Sequence, residues 1–158
     1  MTQSRGFTLI ELLVVVAIIG ILSAVVLVSL NAARNKGSDA AIISNLNTIR
    51  LQAELYYSDH NSAYGIDFAL PGACPTAGLT MFAGDPKIKT AIAAADKAAG
   101  GRGGPIDKVF CASPGASSYV VQSALVAGVG GKMWWCVDSL GAAKPEAVAM
   151  IAGAPNCI

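Results

Sequence analysis

From Met1 to Leu70 there is no proline, and between Phe7 and Tyr64 the only glycines are Gly20 and Gly37. These are the two residue types that break helices, so nothing in the stretch forbids one helix of roughly fifty residues. Charge is scarce as well, at 13% of 158 residues, about half the usual share. The 11 Lys and Arg barely exceed the 10 Asp and Glu. That balance lacks the basic excess that holds a phosphate backbone, and nucleic acid is not the implied partner. Histidine occurs once, as His60 beside Asp59; a lone imidazole at a helix end reads as a solvated cap, and no Ser/His/Asp or Cys/His relay can be built around it. CxxC spacing is absent, which removes the common zinc patterns. Gly100 to Pro105 is glycine-rich but has no Gly-Lys-Ser/Thr, so it is a loop and no phosphate cradle. Asp138 and Glu146 are the carboxylates weighed for calcium, and their spacing does not match an EF-hand loop. No enzyme chemistry, metal, cofactor or small-molecule substrate is implied.

What the chain does have is hydrocarbon. The 22 residues from Leu12 to Ala33 carry no formal charge and are mostly Leu, Val, Ile and Ala. As a helix they cross a core of roughly 30 Å. The run is longer than the apolar part of a cleaved secretory peptide, about 7 to 15 residues, and no small-x-small site follows it. Positive charge does not orient it, since Arg5 precedes the span and Arg34 and Lys36 follow. The cysteines do. Cys74, Cys111, Cys136 and Cys157 all lie beyond the span, and an even number suits disulfides in an oxidising compartment. The expectation is a single pass with the N-terminus inside and a folded head outside. Three pairings are open; Cys74 with Cys111 and Cys136 with Cys157 are favoured because each closes a loop-rich segment, at about 3 to 4 kcal/mol each.

Past the span the helical signal narrows to one side. Ile42, Leu46, Ile49, Ala53 and Tyr56 recur at spacings of 4, 3, 4 and 3, with Asp39, Asn45, Gln52 and Asp59 expected largely off that stripe. This half should lie against the head. Turn formers from Asp59 to Gly65 end the helix, and a loop through Pro71 and Cys74 to Pro75 follows. Asp85 reads as the N-cap of a short helix with Pro86 in its first turn, Ile88, Ala91, Ile92 and Ala95 on one face, and Gly100-Gly101 as its stop. Tyr119 to Val126 and Lys132 to Asp138 read as a hairpin joined by Ala127 to Gly131, with an edge segment near Ala142 to Ala149 that Pro145 confines to a margin. Trp134 and Trp135 must point to opposite faces, one of them into the core. The predicted class is α+β: a long hydrophobic N-terminal helix whose second half packs on a small antiparallel sheet.

One residue needs an explanation. Glu11 sits at the edge of the apolar run, where a lone carboxylate costs roughly 2 to 4 kcal/mol; it requires a partner or a role. Gly6-Phe7-Thr8-Leu9-Ile10-Glu11 followed by an apolar helix resembles the class III signal of type IV pilins and type II secretion pseudopilins. The resemblance implies a leader at 1–6, cleavage between Gly6 and Phe7 by a prepilin peptidase and methylation of Phe7. It also implies an assembly half at 7–33, a head at 34–158, and a glutamate that meets the new ammonium of a neighbour or its own. The implied role is a structural subunit of a helical filament, a homo-oligomer that passes from the inner membrane, where lipid surrounds it, to the cell surface. Its partners would be the peptidase, the inner-membrane assembly platform and minor pilins. The alternatives are a pseudopilin of secretion or DNA uptake, the one route by which nucleic acid would become a partner, and a signal-anchored protein with a disulfide-bonded binding ectodomain. The chain departs from the family in one place. Many pilins carry a proline beyond the glycine of this helix, whereas Ser23 to Ser29 contains none. Gly20 alone then marks a soft point or a site of close helix packing.

Overall fold

The computed structural model describes residues 7–65, 68–101, 107–150 and 156–157, with backbone only at 68–71. Gly6 and the rest of the expected leader lie outside the described residues, as do Arg102 to Pro105 of the glycine-rich loop. The chain divides into two compact units, Met1–Arg34 and Asn35–Ile158.

Helix α1 runs unbroken from Leu9–Asp59, 51 residues, as the absence of proline allows. In the first unit its large apolar side chains from Leu9 to Leu30 are 45% to 82% exposed. The helix is long and apolar enough to cross a membrane, with a mean hydropathy of 3.1 in a window of which nothing is buried.

In the second unit the same helix becomes one wall of a core. Ile42, Leu46, Ile49 and Ala53 are fully buried and pack with Met81, Phe82, Ile88, Ile92, Val109, Tyr119, Val121 and Val137. The remaining elements are β1 (Phe68–Ala73), α2 (Met81–Gly84), α3 (Pro86–Ala98), β2 (Val109–Ser113), β3 (Val120–Val129), β4 (Lys132–Asp138) and β5 (Ala143–Glu146). The strands form one antiparallel sheet in sequence order, β1-β2-β3-β4-β5. The class is α+β and pilin-like. Alternate residues of β2, β3 and β4 join the main core, while Ala112, Val120 and Cys136 form a smaller cluster with Met150 and Cys157. Trp135 packs against the main core; Trp134 lies over Phe110, ring centroids 5.8 Å apart.

Helix α3 begins as its residues dictate. Asp85 accepts the N–H groups of Lys87 and Ile88 at 2.7 and 2.9 Å, with Pro86 in the first turn. The edge segment is β5, and Pro145 stands opposite Trp135 on the strand at the sheet margin. Other expectations need correction. Part of the stretch read as a loop through Pro71 is strand β1, which tolerates a proline because it too is an edge. Strand β2 and the one-turn helix α2 were not foreseen, being too short for periodicity to register. The loop of the hairpin is shorter than Ala127 to Gly131: β3 continues to Val129 and turns at Gly130-Gly131, with its register broken between Ala124 and Val129.

That break explains the largest misreading. Asp39, expected off the buried stripe, is on it and 4% exposed. One of its carboxylate oxygens accepts the N–H of Val126 at 2.6 Å, and the other accepts those of Ala127 and Gly128 at 3.0 and 2.9 Å. Three successive amides that leave the ladder at the bulge form a concave donor nest, and a helix carboxylate fills it. Gly128, at φ +81°, is required here, since a Cβ would stand 2.8 Å from the Lys132 carbonyl oxygen.

The cysteines join Cys74 to Cys111 and Cys136 to Cys157. The first belongs to the main core, and the second lies in the smaller cluster on the other face. Asp138, weighed for calcium, is occupied by backbone: it accepts N–H groups from Leu140, Ala142 and Cys157 at 2.9 to 3.0 Å. Glu146 stands 3.5 Å from the Lys144 ammonium. No group of three or more potential metal ligands occurs among the described residues. His60 is tied to its own helix; its ring stacks on Tyr56 at 3.7 Å and its Nδ1 lies 2.9 Å from the Tyr56 carbonyl oxygen.

Candidate assembly site

The first turn of α1 answers half of the question posed by Glu11. Thr8 precedes the helix, and its N–H and hydroxyl both donate to Glu11 Oε2, at 2.9 and 2.7 Å. The Glu11 N–H in turn donates to Thr8 Oγ1 at 3.3 Å. This reciprocal arrangement is a capping box, in which two otherwise orphaned backbone donors of the helix start are satisfied by side chains. The carboxylate also stands near the positive end of the helix dipole. Thr8 was missed as a functional residue, although Thr-x-x-Glu before an apolar run is the signal that would have found it.

Around this turn the surface is hydrocarbon. Phe7, Ile10, Glu11, Val14 and Val15 line one open groove of about 390 Å³, and Phe7 itself is 73% exposed. The structure thus brings the two described residues expected to act in assembly, Phe7 and Glu11, onto one short surface; Gly6, expected to act with Phe7 in processing, lies outside the described residues. Burying a Val, Leu or Ile side chain stabilises by about 1.5 to 3 kcal/mol. Little of that is realised for these side chains among the described residues, since each is at least 46% exposed. The groove presents one carboxylate, Glu11, among apolar side chains.

Comparison with known proteins points the same way. A family model described as "Prokaryotic N-terminal methylation motif" matches residues 1–27. The chain is 47% identical over 62 residues to the "Type IV wide pilus major component PilA4" of Thermus thermophilus, an alignment that covers 39% of this chain and 47% of the relative. The chain therefore spans about half the length of the curated relative it matches. No solved structure matches. The prokaryotic N-terminal methylation motif thus stands at the head of a long apolar helix that is followed by a five-stranded antiparallel sheet.

Proposed function

We propose that this chain is a structural subunit of a type IV pilus-like filament, cut between Gly6 and Phe7 by a prepilin peptidase, methylated at Phe7 and assembled through α1. The observation that carries the reading is a methylation motif standing at the head of a helix whose apolar side chains are left uncovered by the described residues. A lipid bilayer before assembly and the helices of other copies afterwards are the two environments that would cover them. The disulfides support a head in an oxidising compartment and the N-terminus on the cytoplasmic side of the inner membrane. The relative's role as a major pilus component supports a bulk fibre subunit; an assembly platform and minor pilins are the partners that the family resemblance implies for it.

Glu11 then has two successive tasks. In the uncut chain it caps the helix through Thr8. Cleavage creates an ammonium at Phe7, and in an apolar bundle the glutamate of a neighbour is the group that keeps that charge from being buried alone.

The test is the intact mass of membrane-extracted protein together with electron microscopy of sheared surface material. Loss of Met1 to Gly6, gain of one methyl group and the presence of fibres are expected. An intact leader with no fibres would overturn the reading in favour of a signal-anchored protein. Replacing Glu11 with Ala should leave trimming intact and lower fibre yield about ten-fold or more, because one charge is left unpaired.

A further inference from the structure

Within the head, the solvent side of α1 is bordered by two dissimilar flanks. Successive residues turn about 100° around a helix. The solvent-facing arc therefore includes, from one side to the other, Asn45, Thr48, Leu55, Leu51, Glu54 and Arg50. At the Asn45 edge, Asn45 and Thr48 join Pro86, Lys87, Thr90 and Ala91 of α3 to line a cleft of about 420 Å³. At the Arg50 edge, Arg50, Leu51 and Glu54 meet the turn between β4 and β5. That turn is held firmly. The Arg50 guanidinium donates to the Gly141 carbonyl oxygen at 2.8 Å, and Asp138 accepts the N–H groups of Leu140 and Ala142. A rigid turn thus presents Leu140 to solvent, 76% exposed, beside Leu51 at 62%.

The two flanks carry opposite charges that lack an ion pair among the described residues, Lys87 on one and Glu54 on the other, while Arg50, the cation beside Glu54, is turned to the Gly141 carbonyl oxygen. Lys87 is exposed and has no ion pair among the described residues. Glu54 is exposed too; it accepts the Tyr64 hydroxyl at 3.1 Å and likewise has no ion pair among them. An apolar knob with an acid on one flank and a cleft with a base at its rim on the other are complementary, and a heterologous contact of this kind builds an open filament when its repeat does not close.

We infer that the occupant of the α1–α3 cleft is a second copy of this chain, whose Leu140 knob seats against Asn45, Thr48, Pro86 and Thr90 while its Glu54 pairs with Lys87. This contact rests on the filament reading and adds to it a head-to-head surface separate from the apolar half of α1. The charge pair sets register and excludes wrong partners; the leucines supply the buried area.

The test uses the full chain assembled into fibres by cells. Lys87→Glu and Glu54→Lys should each lower sheared fibre yield about ten-fold, and the two combined should recover to within about three-fold of the wild type. Thermal unfolding of the extracted Lys87→Glu variant should match the wild type, and Glu54→Lys, which gives up the Tyr64 hydroxyl, should be only slightly less stable and stay folded in the double variant, which separates assembly from folding. As a second measurement, Thr90→Cys with Leu140→Cys should give a ladder of oxidatively cross-linked multimers, whereas either substitution alone should not. Fibres indifferent to both reversals, a double variant no better than the singles, or fibres that form without the ladder overturn the contact alone. Wild-type cells without fibres overturn the filament reading and this contact with it.

Discussion

The two halves of α1 are one helix with two burial patterns. From Leu9 to Leu30 hydrocarbon points in every direction and its large side chains are exposed; from Asp39 to Ala53 a single stripe is covered. Local helix propensity does not account for the difference, since the helix is continuous through both. What differs is where the partner is. In the second half the partner is the sheet of the same chain. In the first half none of the described residues serves, and lipid or other copies of the chain are the cover that the proposed function supplies.

The comparison breaks hardest at Asp39. Replacing it with Ala should cost the head about 3 to 5 kcal/mol, because three hydrogen bonds from amides of the bulge to a buried, charged carboxylate are lost together. Denaturant unfolding of the detergent-extracted protein measures this. Asp39→Asn keeps one acceptor oxygen and should lose roughly half as much. Equal stability of all three proteins would mean that the hairpin is held by its apolar contacts alone.

Asp39 also shows where sequence reading stopped. The stripe Ile42, Leu46, Ile49, Ala53 was legible because periodicity reports which side of a helix is apolar. Asp39 continues the same spacing, three residues before Ile42, yet an acid is expected in water unless its partners are known. Those partners are backbone amides 87 to 89 residues away, and no local pattern announces them. The N-cap of α3 was legible for the opposite reason: Asp85 and the amides it caps are two and three residues apart. At the first turn of α1 Glu11 stands out by its charge, whereas Thr8 is easily overlooked because a threonine in a polar flank looks ordinary without its capping partner.

The next effect is covalent. Joint replacement of Cys136 and Cys157 by Ser should lower stability by about 3 kcal/mol, in line with closure of a 21-residue separation. The same measurement on reduced and oxidised protein, with Cys74 and Cys111 replaced in both, should give the same difference. A much smaller loss would show that the Gln122 side chain already holds the following segment, through its contacts to the Val148 carbonyl oxygen and the Met150 amide.

A smaller, pH-dependent effect belongs to the buried half as well. Tyr119 is fully buried, and burial, reinforced by Glu54, pushes its phenol well above the ordinary tyrosine range; burial does the same for Tyr64. A phenol whose folded pKa is raised stabilises fully below the unfolded pKa of about 10 and loses that contribution as pH rises. Head stability should therefore be flat up to about pH 10 and then fall by about 1.4 kcal/mol per pH unit for each such tyrosine. Tyr119→Phe should halve that slope. It should also leave stability at neutral pH within about 1 kcal/mol, because the Tyr119 hydroxyl has no hydrogen-bond partner among the described residues to lose.

The smallest expected effect on the single chain is the most informative about the exposed half. A Cβ built on Gly20 meets nothing within 4 Å, and its φ is not in the left-handed region. Nothing among the described residues therefore asks for glycine there, and Gly20→Ala should raise helix stability in detergent by up to about 1 kcal/mol. If glycine is present so that a neighbouring helix can approach closely, the same substitution should lower fibre yield while the monomer becomes slightly more stable. Opposite signs in the two measurements would place the reason for Gly20 in another copy of the chain. Fibres that form as well with alanine would mean that the glycine is only a soft turn of helix, and that the close packing of the front half lies elsewhere along it.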